Sequence, residues 1–306
     1  MYYKVKVGLA LGGGAVRGLA HLGVLQTLEK YNIPIDLIAG TSIGAVVGSM
    51  YAVDTNAEQI TKRTIDYFKS DDFKGVKMDF MTQSKDEKRG IMSTLVDKVT
   101  RSLRKSFFYG VSLTNISYLS HDVLAKSLSF LIPDLYFRHC KIPFSCCTTD
   151  LRNGEHFYYN EGSLQKAILA SCSIPGLFPP IEMDGRLLID GSWADQNPVR
   201  RAREMGADIV IAVHIVHDEH IPTDLNNSLD VMLAGNQVTK RTLANLQLAD
   251  ADIVIRPDTR TIHWANFAEA ETCVKQGVID AESMMGEIKA TLRRARIKKF
   301  FTGKAM

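Results

Sequence analysis

The chain has 306 residues, 45% of them hydrophobic, and a formal net charge of +3. That length and apolar content allow a large buried core, which excludes a disordered chain or a disulfide-dependent miniprotein. The near-neutral balance gives no ground for a nucleic-acid partner, and no uninterrupted apolar stretch reaches the ~18–20 residues of a membrane-spanning helix.

The N-terminal run, with Lys4 and Lys6 ahead of apolar residues, superficially resembles a signal peptide. The same residues are needed as a first strand, over 5–11, that ends in Gly12-Gly13-Gly14. Apolar residues throughout indicate a strand covered on both faces. A helical stripe follows over 19–31, a second strand over 35–39 and a second helix over 43–53. Strand-helix-strand-helix order predicts a parallel α/β sheet, in a three-layer α/β/α arrangement.

Residues 58–118 are polar and charged, and read as a helical insertion without strands. Within them, 92–107 carry Leu95, Val99, Leu103 and Phe107 at spacing four, with Lys98, Arg101, Arg104 and Lys105 between. That is a basic amphipathic helix, suited either to an ordinary packed surface or to a lid or membrane-facing element. The α/β pattern resumes with strands at 142–149 and 156–159, a helix at 164–171, a short strand at 187–189, a helix at 198–205, a strand at 209–216 and a last strand at 251–256. A basic helical segment closes the chain over about 283–301. It is either a solvated terminal helix or a contact for anionic headgroups. No repeat or linker divides the chain, so a single domain with core residues 5–216 is expected. Five cysteines, at 140, 146, 147, 172 and 273, are odd in number and lack zinc-ligand spacing. They read as reduced thiols, and a bridge between the neighbours Cys146 and Cys147 would be strained.

Three stretches carry chemistry. Gly40-Thr41-Ser42-Ile43-Gly44 is a G-x-S-x-G between a predicted strand and a predicted helix, the setting of a nucleophile elbow; the alternative is a serine cap beside packing glycines. Residues 12–18 join another strand to a helix, and their exposed N–H groups suit a phosphate or a transient oxyanion. The acidic ribose ligand of a dinucleotide fold and the Gly-Lys-Ser/Thr ending of a Walker loop are both absent. Arg17 suits a phosphate-bearing substrate or a structural ion pair. For a base, Asp190-Gly191 tops a short strand at a sharp turn. Asp150, Asp184, Asp195 and the histidines at 214, 217, 220 and 263 compete with it. The trio at 214, 217 and 220 also admits a metal-binding reading.

Taken together, these blocks resemble the patatin-like phospholipase family. Residues 13–18 resemble its oxyanion loop, residues 40–44 its nucleophile motif, residues 170–180 the block before its aspartate, and Asp190-Gly191 its aspartate motif. Ser192 departs from the glycine or alanine usual at that third position. The resemblance implies a serine acyl-ester hydrolase of the phospholipase A or lysophospholipase type, acting on a lipid ester without metal or cofactor. Ser42 is the implied nucleophile and Asp190 its base. The implied oxyanion donors lie at Gly12, Gly13, Gly14 and Ala15, with Gly40 and Gly44 shaping the elbow. A catalytically weak membrane-binding or regulatory protein on the same fold is the competing expectation. The expected location is cytoplasmic, with access to a membrane surface.

Overall fold

In a computed structural model, the structure describes residues 4–74, 116–215 and 225–302. The basic amphipathic stretch at 92–107, together with His217 and His220, lies outside the described residues. The described chain builds one eight-stranded sheet with helices on both faces.

Strands β1 (Val7–Leu11), β2 (Leu37–Thr41), β3 (Phe144–Asp150), β4 (His156–Tyr159), β5 (Ile181–Met183), β6 (Arg186–Asp190), β7 (Ile209–Val213) and β8 (Ile253–Ile255) form the sheet. β1 pairs in parallel with β2 and β7, β2 with β3, and β7 with β8. β4 and β6 run antiparallel to β3, and β5 is antiparallel to β6. Every residue of β1, β2 and β7 is buried, which is why their sequences are apolar rather than alternating.

The helices are α1 (Ala20–Lys30), α2 (Ile43–Asp54), α3 (Ala57–Lys69), α4 (Asp71–Lys74), α5 (His121–Leu131), α6 (Leu164–Ser171), α7 (Val199–Glu204), α8 (Ser228–Leu248) and α9 (Ala270–Thr302). Side chains alternate across the sheet. Val7, Leu9 and Leu11 of β1 pack with α1, α2, α3 and α9 on one face, whereas Ala10 meets Val199 and Ala202 of α7 and Leu248 of α8 on the other. Three layers result.

α9 begins at Ala270, well ahead of the basic segment expected at 283–301, and its inner face enters the main core through Cys273, Ala281, Met285, Ile288, Leu292 and Ala295. Arg293, Arg294, Arg296 and Lys298 are exposed. Lys299 instead turns inward, 2.5 Å from the Asp208 carboxylate and 3.1 Å from the Lys4 carbonyl, and both charged side chains are buried. A buried pair of this kind strongly destabilises a protein when one partner is removed, so it fastens the end of α9 to the sheet.

The strand registers also explain how the sheet places a site. β3 pairs with β2 through residues 144–147, with β6 through 148–150 and with β4 through 146–149. Since β4 overlaps both of the others, β2 and β6 share the opposite edge of β3 and meet end to end there. Thr41 lies opposite Cys147, and Asp190 lies opposite Thr148. Ser42 follows Thr41, so the last residue of β6 is delivered to the serine that leaves β2.

Candidate active site

Ser42 sits between β2 and α2 with φ 55° and ψ −125°, a conformation that L residues rarely adopt. The turn is tight: a Cβ on Gly44 would strike the Leu11 carbonyl. The strain is held by the surrounding sheet and by the Ser42 N–H, which donates to Ser171 Oγ at 2.9 Å. The side chain is thereby aimed across the junction, and Ser42 Oγ donates to Asp190 Oδ2 at 2.6 Å. Both residues are buried, at 5% and 3% exposure, so the bond is charge-assisted and shielded from water.

The second carboxylate oxygen of Asp190 accepts from the Ser192 N–H at 2.8 Å. Burial pushes the Asp190 carboxyl up from the ordinary range; hydrogen bonds from Ser42 and Ser192 and the positive charge of Lys240 pull it back. A serine hydroxyl donating to a carboxylate whose proton affinity is raised has the geometry of a nucleophile and its base. The other aspartates have different partners. Asp150 accepts from the Arg152 and Leu187 N–H groups, and Asp195 bonds the Tyr158 hydroxyl. The described histidines are also engaged elsewhere, His214 with Asn197 and His263 with the Ala265 N–H. Burial drives the thiols upward, Cys140 to about 11 and Cys146 and Cys273 to about 12, which removes them as thiolate nucleophiles near neutral pH.

The glycine loop runs past Ser42 at close range. A Cβ on Gly13 would strike Ser192 Oγ and come within 3.4 Å of Ser42 Cβ. The loop is anchored on several sides. Gly12 N–H donates to Val213 O at 3.1 Å, Gly13 N–H to Gln196 O at 3.2 Å, and Val16 N–H to Trp264 O at 3.1 Å. His21 holds it from beneath, with Nε2 2.8 Å from Gly12 O. A carbonyl only accepts, so the ring carries its proton on Nε2. Burial lowers the His21 pKa to about 4, which keeps the ring neutral.

These bonds revise the expected donor set. The Gly12 and Gly13 N–H groups are committed to carbonyls and contribute position instead. The Gly14 and Ala15 N–H groups have no acceptor among the described residues, and Ala15 takes a left-handed φ of 50° that turns the backbone at this point. Arg17 is also reassigned. It is buried and its Nε donates to Ile262 O at 2.6 Å, so it braces the loop against the segment before α9 rather than facing a substrate. No group of three or more metal-ligating side chains assembles among the described residues.

The patatin-like phospholipase family model matches residues 9–203, from β1 through α7, and so takes in the loop, the elbow and the aspartate. This chain belongs to the patatin-like phospholipase family. Among curated members, a lysophospholipase from Scheffersomyces stipitis is 33% identical over 228 residues, and one from Emericella nidulans is 29% identical over 227. A patatin-like phospholipase domain-containing protein from Mus musculus is 29% identical over 222. These alignments cover 72–74% of this patatin-like chain but only 12–14% of each relative's own length. Among solved structures, VipD from Legionella pneumophila aligns with 92% of this chain and 67% of its own, at 15% identity and a TM-score of 0.45.

Several residues of this patatin-like site escape sequence reading. Ser171, which fixes the Ser42 N–H, lies inside the 170–180 block yet has no signature of its own. His21 shows no partner in the sequence because the partner is a backbone oxygen. Lys240, which reaches Asp190 electrostatically, sits on α8, a helix without a clear buried stripe.

Proposed function

We propose that this chain is a serine acyl-ester hydrolase acting on lipid esters, of the phospholipase A or lysophospholipase type, and that Ser42 and Asp190 form its dyad. The observation that carries the reading is the 2.6 Å bond between Ser42 Oγ and Asp190 Oδ2 at a strained strand-to-helix turn. In this mechanism Ser42 Oγ attacks the ester carbonyl while Asp190 takes the hydroxyl proton. The oxyanion that develops is received by the Gly14 and Ala15 N–H groups, reinforced by the following helical turn. Collapse breaks the ester bond, the leaving alcohol takes the proton from Asp190, and the acyl group stays on Ser42. Water then attacks the acyl-enzyme, Asp190 accepts its proton, and release of the fatty acid restores the Ser42 hydroxyl. A carboxylate is a weak base for an alcohol, so close placement and oxyanion stabilisation carry much of the rate.

The names of the curated relatives support a lysophospholipid as the substrate. The test compares wild type with Ser42→Ala on a short-chain p-nitrophenyl ester and on lysophospholipid, alongside labelling by a fluorophosphonate. Turnover and labelling in the wild type, both abolished in a folded Ser42→Ala variant, are expected. An unlabelled, inactive wild type would overturn the hydrolase reading and favour a binding role for the fold.

A further inference from the structure

Lys240 lies on α8, outside the span matched by the family model, yet its ammonium sits 3.9 Å from the centre of the Trp193 ring. Trp193 belongs to the turn that begins at Asp190, and 38% of its surface is exposed. The cation is therefore held above the turn of the proposed base. It forms no ion pair among the described residues. Between Val231 and Ala249, α8 carries no carboxylate. Asp195, on the Trp193 turn, is bonded to Tyr158. Asp190 feels the Lys240 charge but makes no direct bond to it; its two oxygens accept from Ser42 and Ser192.

A half-buried ammonium with an aromatic ring against one side and no carboxylate partner among the described residues is poised for an anion. The side chain is half-buried, and that burial lowers its proton affinity while the Asp190 charge raises it. Within a lysophospholipid, the phosphate lies only a few bonds from the ester carbonyl. We infer that Lys240, held by Trp193, is a specificity-determining residue that receives the substrate's phosphate and so selects phosphate-bearing esters over neutral ones. The inference rests on the ester-hydrolase reading and adds to it a residue that senses the headgroup. The ammonium retains donors on the side away from the ring, and the phosphate oxygens are acceptors only.

The experiment measures kcat/KM for lysophosphatidylglycerol and for a monoacylglycerol of the same chain length in wild type, Lys240→Met and Lys240→Arg. Losing one charged hydrogen-bond donor predicts a roughly ten- to hundredfold fall on the lysophospholipid in Lys240→Met. Because the Lys240 charge also acts on Asp190, the monoacylglycerol rate falls too, but by less, so the lysophospholipid-to-monoacylglycerol ratio of kcat/KM drops by about tenfold or more. Lys240→Arg restores most of the preference. An equal loss on both substrates overturns the inference, because Lys240 would then act only through Asp190 or through packing. Inorganic phosphate is added to the monoacylglycerol assay as a second arm. Lys240-dependent inhibition by phosphate, without any change in substrate preference, makes this a free-anion site and likewise overturns it. A wild type that hydrolyses the monoacylglycerol but not the lysophospholipid sinks the inference and leaves the hydrolase reading standing. Inactivity on both substrates removes the hydrolase reading itself.

Discussion

Asp190→Asn separates the chemical role of the carboxylate from its structural one. The amide is nearly isosteric, so its oxygen can still accept from the Ser192 N–H, now 2.8 Å from Oδ1. Its NH2 group then faces Ser42 Oγ across the present 2.6 Å. The direction of that bond reverses: Ser42 must accept, and its proton has no base to go to. Losing a general base lowers kcat/KM by roughly 10²–10⁴-fold, which corresponds to about 3–5 kcal/mol of barrier. Stability moves the opposite way. Burial raises the folded pKa of Asp190, so its favourable contribution exists only at acid pH and is lost as pH rises through the folded value. At pH 8 the ionised carboxylate is a liability to the fold, and Asn removes it. The assay is p-nitrophenyl butyrate hydrolysis at pH 8 alongside thermal unfolding of both proteins. The expected pair of results is a large rate loss with a higher melting temperature. Retention of more than a tenth of the activity would refute the dyad, while a clear fall in melting temperature would refute the sign of the electrostatic argument.

Two other perturbations test the surroundings of the dyad. Ser192→Ala removes a hydroxyl bond that lowers the Asp190 pKa, so the acid limb of the kcat/KM profile should move to higher pH while the rate at pH 8 changes by less than about threefold; an unmoved limb would show that the hydroxyl does not touch the charge. His21 and His214 each titrate near 4 in the fold against an ordinary 6.5, so below about pH 6.5 the unfolded chain takes up protons that the folded chain refuses. Stability is fully present above that pH and falls as pH drops towards 4, with His21 alone contributing up to about 3 kcal/mol of the loss. Denaturant unfolding at pH 7.5, 6 and 5 should show a shallower decline in His21→Gln, and an equal decline in both proteins would dismiss the idea.

Local signals made much of this site legible. The strand-loop-helix units at Gly12 and Ser42 announce themselves because a fully buried strand must be apolar and a tight turn must be small, and both properties are written in consecutive residues. The end-to-end meeting of β2 and β6 is different. It depends on β3 exchanging one partner for another between Cys147 and Thr148, which no local pattern encodes. β5 is a three-residue strand whose own residues are half-exposed or exposed, too short to stand out as a strand in sequence. α8 stays hidden because Val231, Met232, Val238 and Leu246 are exposed while small residues such as Ala234 and Ala244 are buried, which blurs the helical stripe. Arg17 was ambiguous for a related reason: its carbonyl partner lies 245 residues away, and a cation beside a glycine loop looks the same in sequence whether it faces a ligand or a backbone.

That long reach has a practical side for anyone shortening or grafting this protein. The family match ends at residue 203, but Trp264 and Ile262 grip the glycine loop from outside that span, and α9 returns to clasp the sheet through Lys299. The stretch that can be recognised and the stretch that must be transplanted are therefore of different lengths. A fragment chosen by motif boundaries alone would carry the proposed dyad away from the braces that hold its loop.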